Sequence, residues 1–251
     1  MTRLNAAGPL MPAVTPYPAL IEPALPFRLP RKSQAERQVA NASNSHCTAL
    51  PVMGDGDGIR FQCESKLELD TLYILNARHD IVWIREQADF YCDPVEKTGR
   101  HIFDFMATLR NGRRIAFSVK PECRLSWRRK GQLPGEDFIT ALQTVAYHVQ
   151  RQNFADDVRL VTEEDLDPVE LYNAEVIAAV REPDPEADQR ALDLTRGLIG
   201  CRTIRDLARD IGMAGRGNSA VLRLIRTGTL VGQPGRRLTP STLVTRKGVF
   251  Q

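Results

Sequence analysis

The sequence predicts a mixed α/β fold, a sheet flanked by helices, followed by a small basic α+β unit. Three observations predict it. Between about residues 60 and 165 a helical stripe, three strand-like runs, a second helical stripe and a short strand follow one another. Within that stretch Asn111-Gly112 separates two alternating runs as a hairpin turn. The charge also divides: residues 196–251 hold eleven Lys or Arg against two Asp, a balance of +9, whereas residues 46–195 balance at −9.

Bulk properties narrow the class. A chain of 251 residues, 42% hydrophobic and 26% charged, has material for a real core and one or two domains. No apolar run approaches the roughly 18 residues that span a bilayer. Pro9, Pro12, Pro16 and Pro18 interrupt any apolar signal segment. The five cysteines (Cys47, Cys63, Cys92, Cys123 and Cys201) form no CxxC pair, which speaks against a zinc ribbon or a disulfide framework and fits a reducing, cytoplasmic compartment.

The elements are expected as follows. Residues 1–45, with seven prolines and a polar run ending "NASNS", form a disordered basic arm, because proline removes backbone donors. Residues 46–181 form the main domain. In "ESKLELDTLYILNA" (64–77), Leu69, Leu72 and Tyr73 make a helical stripe. "DIVWIREQADFYC" (80–92) is rich in β-branched and aromatic residues and reads as strand. The hairpin "HIFDFMATLRNGRRIAFSVK" (101–120) follows. "EDFITALQTVAYHVQRQ" (136–152) is a second helix, with Phe138, Leu142, Val145 and Val149 on one side, and "DVRLVT" (157–162) is the last strand. The acidic, proline-containing "EPDPEAD" opens a linker, 182–195. In residues 196–251, Thr203 caps a helix carrying Ile204, Leu207 and Ile211, glycines turn the chain, and "NSAVLRLIRTG" makes a second helix. "GRRLTPSTLVTRKG" (235–248) is expected as a β-ribbon wing.

The hairpin register decides whether a site exists. A two-residue turn pairs residues whose numbers sum to 223 and sets Asp104 opposite Val119. A three-residue turn with a glycine bulge makes the sum 222, so that 104 faces 118 and 102 faces 120. Only this register puts Asp104, Ser118 and Lys120 on one face, and the bulged turn is the expectation. Two carboxylates and a lysine at a sheet edge can hold Mg²⁺ and a phosphate, since carboxylate oxygens suit the hard cation and the ammonium takes up developing charge. Glu68, four residues before Leu72 on the flank of the buried stripe, supplies the second carboxylate. His101 reads as a strand-end polar residue, and no second histidine near it argues for zinc.

"SKLELD", "DIVWIREQ", "HIFDF" and "FSVKP", with "VTEEDL" after the last strand, follow the order and spacing of the TnsA-type endonuclease subunit of Tn7-like heteromeric transposases. The resemblance covers about 60–165 and implies a restriction-endonuclease-like fold with a metal-dependent DNA endonuclease site. It assigns Glu68 and Asp104 as metal-binding carboxylates, Lys120 as the catalytic lysine, Val119 and Gln87 as site-lining, and Mg²⁺, with Mn²⁺ as a substitute, as the cofactor. Ser118 stands where that family carries glutamine or glutamate, which weakens the metal site; Glu122 is a candidate to compensate. Such a subunit cuts the non-transferred strand at the 5′ ends of a mobile element, beside a DDE-type transposase (TnsB) and an AAA+ regulator (TnsC).

The basic C-terminal unit reads as a winged-helix-like DNA-binding domain. Arg216, Asn218 and Ser219 stand at a helix start suited to base edges, Arg223 and Arg226 lie along the helix, and Arg236 and Arg237 lie on the wing. "RLSWRRK" (124–130) adds a basic run beside Trp127. Two alternatives stay open: a nuclease-fold scaffold that binds DNA and transposase partners without cutting, motivated by Ser118, and a winged-helix transcription regulator.

Overall fold

A computed structural model gives the structure, which describes residues 29–37, 48–126 and 137–247. After the short pair β1 (Val52–Met53) and β2 (Ile59–Arg60), Ser65 caps the helix α1 (Lys66–Ala77), its hydroxyl accepting the Glu68 N–H. Four strands form the main sheet: β3 (Ile81–Asp93), β4 (Thr98–Leu109), β5 (Arg114–Val119) and β6 (Asp157–Val161), in the order β3-β4-β5-β6. The first two pairings are antiparallel and β5–β6 is parallel, so the chain crosses over between them through α2 (Phe138–Arg151).

Each face of the sheet has its own core. Leu72 and Leu75 of α1 pack with Ile84, Phe105, Ala107, Ile115, Phe117 and Val119. Leu142 and Val149 of α2 pack with Ala88, Phe90, Phe103, Met106 and Ala116. The two cores reveal an inversion. A strand of strict period two keeps residues two or four apart on one face, yet Ile84 and Ala88 lie on opposite faces, as do Phe105 and Phe103. Gln87 and Asp104 lie between the flanking pairs Glu86–Phe105 and Ala88–Phe103. The inversion therefore falls at those two residues, and Gln87 absorbs part of it at φ +48°, a region L-residues seldom adopt.

A second core begins earlier than the sequence suggests. Residues 182–195 are not a linker: Pro185–Arg196 is the helix α4, started by Asp184 and a proline at its first position. Its buried face is made of Ala187, Ala191 and Thr195, too small to register as an apolar stripe, and Asp188 turns inward to Arg223 of the same core. A further helix, α3 (Pro168–Ala179), supplies Ile177 to the same core. β7 (Cys201–Thr203), α5 (Ile204–Ile211), α6 (Gly215–Arg226), β8 (Leu230–Gly232) and β9 (Leu243–Arg246) complete it, with the sheet ordered β7-β9-β8. The expected ribbon over 235–248 is corrected: its strands are β8 and β9, and residues 233–242 are the connection between them. Gly217 lets α6 lie on α5, since a Cβ there would stand 2.8 Å from the Ala208 carbonyl.

The expected arm is also corrected in part. Residues 29–37 are docked, with the Arg31 N–H bonded to the Gly58 carbonyl at 2.9 Å and the Arg60 N–H to the Arg31 carbonyl at 3.0 Å. The rest of 1–45, and the basic run from Trp127 onward, lie outside the described residues. Four cysteines, Cys63, Cys92, Cys123 and Cys201, are free thiols. Among the described residues no helix is long and apolar enough to cross a membrane.

Candidate active site

The hairpin takes the bulged register. Gly112, at φ +85°, donates its N–H to the Leu109 carbonyl at 2.9 Å, and the Leu109 N–H reaches the Arg113 carbonyl at 2.7 Å. Phe105 consequently faces Phe117 and Met106 faces Ala116. The ladder between β4 and β5 ends at Phe105–Phe117, whereas β5 stays paired with β6 as far as Val119–Val161. The next acceptor for β5 is a side chain: Asp104 Oδ2 takes the Val119 N–H at 2.6 Å. β4 and β5 thus form a fork with a carboxylate in its crotch.

Glu68 and Lys120 approach this fork. Glu68 is buried, and both its oxygens serve the start of α1: Oε2 accepts the Glu64 N–H at 2.7 Å and Oε1 accepts the Ser65 hydroxyl at 2.9 Å. Each carboxylate oxygen has two lone pairs, so a further ligand on either is allowed. Lys120 is fixed by its N–H to the Val161 carbonyl at 2.9 Å, and its ammonium lies 5.4 Å from the centre of the Phe138 ring.

The electrostatics reflect this grouping. Burial, then the neighbouring Glu68 charge, pushes Asp104 up to about 7, against the opposing pull of the Val119 N–H and Lys120. Glu68 is raised by burial, opposed by its two donors and by Lys120. Burial and the Lys120 charge push His101 down to about 4, so its ring is neutral at pH 7. The thiol of Cys63, fully buried beside Glu68, Glu86 and Asp104, is held far above its ordinary value, first by burial and then by those charges.

The remaining residues separate. The expected pairing of Ser118 with Asp104 does not form, because the β4–β5 ladder stops at Phe105–Phe117, and the Ser118 hydroxyl is bonded instead to His101 Nε2 at 3.0 Å. His101, read from the sequence as a bystander, is therefore part of the site wall, its ring edge-on to Phe103 at 4.6 Å. Val119 contributes its N–H rather than its side chain. Gln87 is buried with its Oε1 unpartnered. Glu122 does not compensate for Ser118, because it is exposed on a short 3-10 turn (Glu122–Arg124) and its N–H is tied to Glu163 at 2.9 Å.

Sequence reasoning missed Glu86. It is wholly buried, Oε1 accepts the Ser33 hydroxyl at 2.5 Å, and Oε2 has no partner. Burial raises it, opposed by donors from the Ser33–Ala35 stretch. The polar "REQ" inside a strand was the available signal, but its partner lies 53 residues earlier.

The arginines of the second core are mostly engaged within the chain. Arg223 Nε bonds Asp188 at 2.7 Å and Arg226 Nη2 bonds Asp55 at 2.7 Å, with only 12% and 10% of their side chains exposed. They are corrected from DNA contacts to internal ties, because α6 is the central helix of its core, with six of its residues buried. Arg216 pairs with Asp184 and Glu186 but stays half exposed. Asn218 and Ser219 are partly exposed, Arg236 is exposed, and Arg237 lies 5.1 Å over the Tyr172 ring.

Two carboxylates and one ammonium leave the fork short of positive charge, a donor set that fits a hard divalent cation. Among the described residues no three His, Cys, Asp or Glu side chains gather around one point, so an ion there would complete its shell with water or substrate oxygens. Mg²⁺ sites are commonly of that kind. No protein-family model and no curated protein matches the chain.

Proposed function

We propose that this chain is a metal-dependent DNA endonuclease, the subunit of a transposase that cuts the non-transferred strand at the 5′ ends of a mobile element. The observation that carries the reading is the fork: Asp104 takes the Val119 N–H where the ladder stops, with Glu68 and Lys120 alongside. A mixed four-stranded sheet between α1 and α2 supports a restriction-endonuclease-like core. The order α4, β7, α5, α6, β8, β9 with a β7-β9-β8 sheet supports a winged-helix-like second unit.

Glu68 and Asp104 would hold Mg²⁺, or Mn²⁺ in its place, which lowers the pKa of bound water and neutralises phosphate charge. Burial and the Glu68 charge favour the protonated form of Asp104, so a divalent cation would bind there in competition with that proton. The charge of Lys120 reaches both carboxylates, and its ammonium would take up charge developing on phosphate oxygens. Ser118 contributes through His101, which orders the wall of the fork. On the wing, Arg236 and Arg237 supply phosphate contacts, and Arg216, Asn218 and Ser219 supply the helix-start contacts. The DDE-type transposase and the AAA+ regulator are the expected protein partners.

One observation favours a second reading, a scaffold that binds DNA and transposase without cutting: the Ser118 hydroxyl is committed to His101. The test is nicking of labelled mobile-element-end DNA in Mg²⁺ or Mn²⁺, with and without the transposase. Loss of nicking in Asp104→Ala supports the endonuclease. Equal nicking by Asp104→Ala overturns the assigned site, and DNA binding without nicking in either metal selects the scaffold.

A further inference from the structure

Residues 31–37 have no core of their own; at least four of the seven are exposed and none is buried. Polar anchors hold the segment instead. Arg31 bridges to Ile59 as a parallel partner. Ser33 donates to the buried Glu86 at 2.5 Å and accepts Gln62 Nε2 at 2.8 Å. Glu36 takes Arg85 Nη1 at 3.2 Å and the Asp89 N–H at 2.7 Å. Burying a carboxylate such as Glu86 is costly, and here it fixes the path of a surface strap. Arg37, the last residue described in this stretch, pairs with Glu64 Oε1 next to the Glu68 end of the site.

Glu64 belongs to the same electrostatic group as the site. Its N–H donates to Glu68 at 2.7 Å, and its charge raises both Glu68 and Asp104. The Arg37–Glu64 pair is 39% and 35% exposed, so it lies at the rim and contributes little to stability. A guanidinium held by an exposed carboxylate is readily handed to a phosphate, which it grips through two parallel N–H bonds. Beside Lys120 and a divalent ion, such a cation further offsets the charge of Glu64, Glu68 and Asp104 where a polyanion would enter.

We propose that Arg37 is a DNA-contacting residue of this site: the strap presents it to a backbone phosphate, and Glu64 holds it in place until the phosphate arrives. This rests on the endonuclease reading for its substrate class. Full-length protein is titrated with a short fluorescein-labelled DNA duplex in Ca²⁺, comparing wild type, Arg37→Gln, Glu64→Gln and the double variant at several salt concentrations. Arg37→Gln is expected to weaken binding about tenfold and reduce the salt slope by about one. Glu64→Gln is expected to tighten binding, and that gain is expected to vanish in the Arg37→Gln background. Additive effects show general electrostatics and overturn the proposal, as does unchanged binding by Arg37→Gln. Thermal melting within about 2 °C of wild type shows that the fold is kept. Nicking by wild type with binding insensitive to Arg37 removes this inference alone. The expected binding pattern without nicking removes the endonuclease reading alone.

Discussion

Asp104 Oδ2 lies 2.6 Å from the main-chain nitrogen of Val119, in the place a strand carbonyl would take if β4 and β5 stayed paired. The carboxylate is thus both a strand terminator and a candidate ligand, and the roles separate in Asp104→Asn. The amide keeps an oxygen for the Val119 N–H but lacks the charge that a divalent ion requires. Nicking should fall to background while the circular dichroism spectrum is retained.

The same variant has a predictable pH profile. Burial lifts Asp104 in the folded state to about 7, above the ordinary 3.8. The folded protein then binds more protons than the unfolded chain between those values, so stability from this group is full below about pH 4 and declines as pH rises through 7. Asp104→Asn should match wild type near pH 4 and exceed it by about 4 kcal/mol at pH 8 in urea denaturation. A wild type that gains stability on alkalinisation across that window, relative to the variant, would contradict the assignment.

Lys120 acts on two groups at once, which gives a test independent of turnover. Its charge lowers both Asp104 and His101. Lys120→Met keeps a flexible chain over the Phe138 ring and removes the ammonium. The His101 imidazole should then titrate at a higher pH in NMR spectra, and nicking should drop about a hundredfold.

How much of this was legible follows from distance along the chain. The hairpin register was readable because Asn111-Gly112 and the alternation around it are local, and the pairing of Phe105 with Phe117 agrees with it. Glu68 was placed by helical spacing within one element. Glu86 and its Ser33 anchor were not, since no local pattern announces a contact across 53 residues. α4 was hidden because its buried side is alanine, so composition dominated over periodicity. Arg223 and Arg226 were read as DNA contacts because their carboxylate partners, Asp188 on α4 and Asp55 in the turn between β1 and β2, are brought to them only by tertiary packing.

The two kinds of arginine on α6 should behave differently. Asp188→Ala strands the Arg223 guanidinium, whose Nη2 already lacks a partner, in a largely buried place. It is expected to destabilise the second core by about 2–3 kcal/mol. Arg216→Ala removes a half-exposed pair and should leave the melting temperature almost unchanged while weakening DNA binding. Equal melting of the two variants would return Arg223 to the candidate DNA surface.

Ser118→Gln probes the point where this chain departs from the resemblance. Ser118 is 2% exposed and its hydroxyl meets His101 at 3.0 Å, so a longer side chain collides with the ring before it reaches Asp104. Overpacking of that kind destabilises by about 1–3 kcal/mol, and the single variant should melt lower and nick no better than wild type. Adding His101→Ala opens the space the amide needs. The double variant is expected to recover most of the melting temperature, and its amide oxygen, a ligand hard cations accept, should lower the Mg²⁺ concentration for half-maximal nicking. If His101→Ala alone gives the same gain, the imidazole blocks the site and the missing glutamine is irrelevant. If Ser118→Gln alone gives it, the Ser118–His101 contact does not limit the site at all.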